Sequence, residues 1–225
     1  SPPSIRPSAL VREMDSAIES NLLALYSLPH APRVSVEGAG AGGHLLQWML
    51  SVPGASSVLV SGGIPYATVC TDQLVGKHVE QYCSVPTASA LALAAYKKCA
   101  NAVMMQHGRF ADLARSNIMG VGITASLATA QPKRGDHRGF VGLHTLSHRS
   151  CTSLLMNKGS RRRGEEDALV SRLGLSAVLQ EALPAPEDII QSYLMPSAEA
   201  PDFEQVQLME DSPHDYIREL VTKEL

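Results

Sequence analysis

Between Glu37 and Asp72 the chain carries no Asp, Glu, Lys or Arg at all. Charged side chains are rarely buried unpaired, so a charge-free run of this length reads as core and argues against a solvated surface segment. Aromatic residues make up only 4% of the 225 residues. With so many small side chains, the composition suits helices packed closely on a sheet. No apolar run approaches the ~18 residues that a membrane span needs, which excludes a spanning helix. The four cysteines (Cys70, Cys83, Cys99 and Cys151) match neither zinc-site nor redox-pair spacing. They read as buried thiols in a reducing compartment, and neither a metal nor a cofactor is expected. An initial Met is also missing. The start Ser1-Pro-Pro fits a mature form that has lost a targeting segment, or part of a longer chain.

What the charge-free run contains is ordered. Val34-Ser-Val36 alternates like a short strand, and a glycine turn, Gly38-Ala-Gly-Ala-Gly-Gly43, follows it. An apolar stretch from Leu45 to Leu50, a Val52-Pro-Gly54 turn and Val58-Leu-Val60 complete a strand, helix and strand, one buried βαβ-like unit. Before it, Ser1 to Pro7 holds three prolines and reads as an extended arm. Ser8 can cap a helix to about Ser27, striped by Leu10, Met14, Ile18, Leu22, Leu23 and Tyr26.

Beyond it, Asp72 to Gly76 reads as a short helix. Cys83-Ser-Val-Pro-Thr87 starts a longer one to about Met105, with Pro86 tolerated in its first turn. Strands are expected at Asn117–Thr124, Phe140–Leu146 and Cys151–Met156, the last two antiparallel around His148-Arg149. A final helix is expected from Arg161 to Ala182, with i, i+4 pairs Arg161/Glu165, Arg162/Glu166 and Arg163/Asp167. After Pro184, prolines recur among acidic residues without sustained periodicity. This reads as a tail that can hold Ile189, Tyr193, Phe203 or Tyr216 against its own body or a neighbour. The division is therefore an arm and helix at 1–30, an α/β domain at 31–183 and a tail at 184–225.

Net charge, −3, hides an asymmetry. From Pro184 onward there are 10 acidic and 2 basic residues, whereas Arg109 to Arg163 holds 10 basic against 2 acidic. A basic middle with an acidic tail is either a solvated surface and its counterweight, or a face for phosphate or RNA beside a partner-binding tail.

Two constellations could carry a ligand. Gly38-x-Gly40-x-x-Gly43, between a strand and a helix, has the form of a dinucleotide fingerprint, yet the acidic residue required ~20 positions later is absent until Asp72. A nicotinamide-dinucleotide fold is thereby disfavoured. What remains is an anion cradle of backbone N–H groups at Gly38, Gly40, Gly42 and Gly43, or a turn made small for packing alone. The second constellation is a strand ending in Thr124 and Ser126, followed by Lys133, Arg134 and Arg138, which suits an anion or is simply a solvated basic loop. Arg149, Lys158, Arg161, Arg162 and Arg163 extend the basic surface toward RNA or a partner. Cys70 and His44 invite a catalytic reading. Nothing close in sequence activates Cys70, which reads as a packed thiol, and His44 reads as a surface or capping residue.

In order and spacing, Gly42-Gly43, Val52-Pro-Gly-Ala-Ser56, Pro65-Tyr66, Gln81-Tyr-Cys-Ser84, Gly122-Ile-Thr-Ala-Ser-Leu127, Pro132-Lys-Arg-Gly-Asp-His-Arg138 and Lys158-Gly-Ser-Arg-Arg-Arg163 resemble the CinA C-terminal-domain family, in its eukaryotic branch, over roughly residues 31–183. The resemblance implies a three-layer α/β fold with a mixed sheet flanked by helices. For bacterial members it implies hydrolysis of the amide of nicotinamide mononucleotide, with a hydroxyl nucleophile activated by a lysine and an oxyanion held by turn N–H groups. Their Glu-Ser-Cys-Thr-Gly-Gly turn falls on Gly38–Gly43 here, so Ala39, Gly40 and Ala41 stand where hydroxyls and a thiol would be. Their Tyr-Ser-Asn-Glu-Ala-Lys segment falls on Tyr66–Thr71, so Thr71 stands in the lysine's place. The expectation is a degenerate site without catalytic residues, in which Tyr66 and the turn could still hold a small nucleotide. The chain then serves as a scaffold among protein subunits, with rRNA on its basic middle, in a mitochondrial complex such as the mitochondrial ribosome; otherwise it is cytoplasmic. The alternative is a working amidase or a nucleotide sensor.

Overall fold

The computed structural model describes residues 15–107, 117–131, 133–183 and, for the backbone, 205–211. Ser8, Leu10, Met14, Pro132 and the tail positions Ile189, Tyr193, Phe203 and Tyr216 lie outside the described residues. Six strands form one sheet: β1 (Arg33–Ala39), β2 (Leu59–Gly63), β3 (Ile118–Ser126), β4 (His137–His144), β5 (Arg149–Met156) and β6 (Gln205–Asp211), in the order β2-β1-β3-β4-β5-β6. β1 runs parallel to β2 and β3, and every pairing from β3 to β6 is antiparallel, so the sheet is mixed. The helices are α1 (Ser16–Tyr26), α2 (Gly43–Ser51), α3 (Thr68–Val75), α4 (Val85–His107) and α5 (Arg163–Ala182).

β3 explains the layering. Its alternation sends Met119, Val121 and Ile123 to one face, where they join Ile18 and Leu22 of α1, Leu45 and Met49 of α2, and Leu175 and Leu179 of α5 in one buried cluster. Gly120 and Gly122 point to the other face. A Cβ on Gly122 would lie 2.2 Å from the Ala88 carbonyl oxygen, and one on Gly120 would lie 2.1 Å from that of Ala92. The glycines are thus a track on which the alanine-rich α4 sits backbone to backbone. Tyr96, Cys99 and Val103 of α4 close this second face against Ile118. Helices on both sides of a mixed sheet give an α/β fold of three layers.

Several sequence expectations need correcting. Asp15 caps α1, its carboxylate accepting from the Ala17 N–H at 3.0 Å; Leu25 is buried in the stripe, whereas Leu23 is largely exposed. α3 begins earlier than Asp72 and ends at Gly76, and α5 begins at Arg163. The charge-free run is not core throughout. β2 is an outer strand, half-exposed along its length, and Ile64, Tyr66 and Val69 beyond it are exposed. Absence of charge here marks an edge as well as an interior. Cys99 and Cys151 are buried thiols, but Cys70 is exposed and Cys83 half-buried. Finally, the tail is not devoid of regular structure: β6 pairs with β5 from Leu155↔Gln205 to Arg149↔Asp211. A seven-residue strand with few β-branched residues is too weak a signal to read without its partner.

Candidate functional site

The C-terminal ends of parallel strands β1 and β3, where loops leave in opposite directions, are where α/β sheets usually bind ligands. Here they meet the glycine turn, the start of α3 and the start of α5. Gly40 takes φ +87°, open to glycine at little cost, and its Cα comes so near β3 that a Cβ would lie 2.6 Å from the Ala125 carbonyl oxygen. The turn's small residues are therefore required by close backbone approach. Ala39 and Ala41 are buried.

The N-terminal end of α2 does hold an anion, and the chain supplies it. Asp167 of α5 accepts from the Gly42 N–H at 2.7 Å and from the His44 N–H at 3.1 Å, while its Oδ2 lies 2.5 Å from His44 Nδ1. Burial raises the Asp167 pKa, but the hydrogen bonds from His44, Gly42 and the His44 backbone outweigh it and hold the carboxyl below its ordinary 3.8. The imidazole is 35% exposed and leans on Trp48, with ring centroids 5.7 Å apart. Glu166, next to Asp167 in sequence, is buried completely. One oxygen lies 2.6 Å from His137 Nδ1, and the other accepts from the Ala128 N–H at 2.6 Å. Successive carboxylates thus tie α5 to α2, to β4 and to the loop after β3. The expected pairs Arg162/Glu166 and Arg163/Asp167 give way to these contacts, 29 to 125 residues apart in sequence.

Thr71 is buried, and its hydroxyl donates to the Pro65 carbonyl at 2.8 Å. Nothing at this position offers an amine. Cys70, beside it, faces solvent.

The two expected ligand constellations lie on one rim. Arg163 Nη2 donates to the Gly40 carbonyl at 3.1 Å and to the Tyr66 hydroxyl at 3.2 Å, and Nη1 to the Ala128 carbonyl at 3.2 Å. Tyr66, the Ala128-Thr129-Ala130 loop, Arg161, Arg162 and Arg163 line an open cavity of about 530 Å³. Thr124 is spent elsewhere, donating to the Tyr82 carbonyl at 2.6 Å. Lys133 donates to Ser126 Oγ at 2.7 Å and to the Leu127 carbonyl at 2.6 Å. Partial burial lowers its pKa, with Arg163 and Lys158 adding to the effect against Glu166 and Cys83. Lys158 in turn donates to the Lys133 carbonyl. Arg138 lies opposite Ser126 in the β3–β4 register, with its guanidinium 5.8 Å from the Phe140 ring centroid. Arg134 is exposed on the loop. Arg149 is not brought to this rim: it begins β5 at the other end of the strand, opposite Asp211, with its Nε buried. Among the described residues no group of three or more His, Cys, Asp and Glu is placed to hold a metal, and no helix is long and apolar enough to cross a membrane.

The sequence reading missed the structural roles of Glu166, Asp167 and His137. The one available signal was two adjacent acids in the first turn of a helix, a place that favours anions but does not name their partners.

No family model matches the chain, and no curated protein matches it in sequence. It is similar to solved structures of CinA and competence-damage-inducible proteins. One is the competence/damage-inducible protein CihA from Agrobacterium tumefaciens, at 16% identity, over 74% of this chain and 96% of that one, with a TM-score of 0.49. Another is a competence-damaged protein (CinA) superfamily protein from Escherichia coli, at 14% identity, over 76% and 93%, with a TM-score of 0.46. A third is the competence damage-inducible protein A from Klebsiella pneumoniae subsp. pneumoniae, at 11% identity, over 73% and 94%, with a TM-score of 0.47.

Proposed function

We propose that this chain is a catalytically inactive CinA-like scaffold, a structural subunit of a larger assembly. The observation that carries this reading is the Asp167 carboxylate seated on the Gly42 and His44 N–H groups. An oxyanion hole works because its donors wait for charge that develops in the transition state. Donors already bonded to a resident carboxylate cannot serve, and the turn's side chains offer neither a hydroxyl nor a thiol. Thr71, where the resemblance would require a lysine, is buried, and its hydroxyl donates a hydrogen bond to the Pro65 carbonyl. Loss of a nucleophile and its base typically costs several orders of magnitude in rate.

The basic residues from Lys133 to Arg163 and the acidic composition after Pro184 are of opposite sign, which suits RNA and protein partners respectively. A mitochondrial complex, the mitochondrial ribosome first, is the setting we propose. Purifying the native protein and identifying what accompanies it tests this: rRNA with ribosomal proteins is the expected result, and a protein that emerges alone counts against it.

One observation favours a second reading. The His44 imidazole is held through Nδ1 by a carboxylate and is partly open to solvent, the arrangement of an oriented general base. On that reading the chain is a hydrolase of the nicotinamide-mononucleotide amidase type. Incubating pure protein with nicotinamide mononucleotide and measuring ammonia separates the two. No release above background is expected, and release abolished by His44→Ala would establish the hydrolase.

A further inference from the structure

We propose that the cavity between Tyr66 and the start of α5 is a docking site for single-stranded RNA, a proposal that rests on the scaffold reading and gives it a contact surface. Arg161, Arg162 and Arg163 stand together at its rim. Arg163 meets two carbonyls and a phenol, all neutral acceptors, so its contacts fix its position without cancelling its charge. The positive end of a 20-residue helix adds to that charge. Of the acids in the first turn, Glu166 and Asp167 face inward onto His137 and His44.

The second half of the recognition chemistry is Tyr66. Its side chain sits at the mouth, and the residue is 67% exposed, an unusual place for a ring in a chain with so few. Its hydroxyl is tethered to Arg163, which holds the ring beside the cations. Guanidinium groups for phosphates with a fixed aromatic face for a base are how single strands are held without sequence preference. A duplex hides its base faces and could use only the charges. The cavity's volume is ample for one nucleotide, with neighbouring phosphates running across Arg161 and Arg162.

Fluorescence anisotropy with a labelled uridine 12-mer, titrated at several salt concentrations, tests this on the full chain. Tyr66→Ala should weaken binding about tenfold and leave the salt slope unchanged, because a stacked base releases no counterions. Tyr66→Phe, which keeps the ring but loses the hydroxyl that Arg163 holds, should bind between Tyr66→Ala and wild type. Arg162→Glu should lower the slope of log affinity against log salt by about 0.7 or more. Circular dichroism and thermal midpoints verify that the variants fold.

The site is overturned if the variants bind like wild type, if an RNA duplex binds as tightly as the single strand, or if nicotinamide mononucleotide displaces the strand at equal concentration. Assaying ammonia release on the same preparation keeps the two readings apart. Failure to bind RNA without amide hydrolysis removes this site alone, whereas amide hydrolysis removes the scaffold reading as well.

Discussion

The first turn of α5 has two sides, and they are built on opposite rules. Inward, Glu166 and Asp167 are matched to donors at 2.5 to 3.1 Å, each carboxylate joining elements far apart in sequence. Outward, three arginines line an open cavity, where two carbonyls and a phenol position Arg163. Taking one partner from a closed pair leaves a buried group unmatched, whereas a charge at an open rim stays in reach of solvent and ligands. The same turn thus separates what holds the molecule together from what it offers to others.

The inward side is the more costly to disturb. Glu166→Ala removes the acceptor for both the buried His137 ring and the Ala128 N–H, so a loss of about 3 kcal/mol is expected in denaturant unfolding. Glu166→Gln keeps the volume and an acceptor and should lose less. If both changes are nearly neutral, the buried pair is not the fastening described here.

Asp167 gives the next effect, and it depends on pH. Its folded pKa lies below the ordinary 3.8, so the unfolded chain binds the proton more readily. The carboxylate's contribution is therefore complete above the ordinary value and is lost as the pH falls through the folded one. Asp167→Asn should cost about 1 kcal/mol at pH 7, and the gap to wild type should shrink in unfolding measured below pH 4. A gap that stayed constant down to pH 2 would contradict this assignment.

The smallest expected effect sharpens the contrast most. Arg162→Glu, on the outward side, should change stability by no more than about 0.5 kcal/mol, since substitutions at exposed positions away from packing usually do little. A large loss there would mean that the outer arginines also belong to the internal framework.

Much of the fold was legible because its strongest signals are local. The βαβ order from Val34 to Val60, the alanine-rich α4 and the β4–β5 hairpin all announce themselves through periodicity, turn residues or a capping proline. Gly120 and Gly122 could be read as strand residues, but not as the track for α4, because that requires knowing which face they share. The same limit applies to Glu166 and Asp167. Spacing along a helix suggested arginine partners four residues away, whereas folding delivers histidines and N–H groups that no local pattern connects to them. Tyr66 and the Arg161–Arg163 group were each singled out from the sequence. That they meet, through a hydrogen bond spanning 97 residues, was not readable.

The pairing of β6 with β5 bears on the order in which the molecule can be completed. Translation delivers all the inner strands by Met156, but the segment that covers the border of β5 begins only at Gln205. Until then β5, an inner strand of the finished sheet, is itself the margin, and its main-chain donors and acceptors lack the row that β6 later supplies.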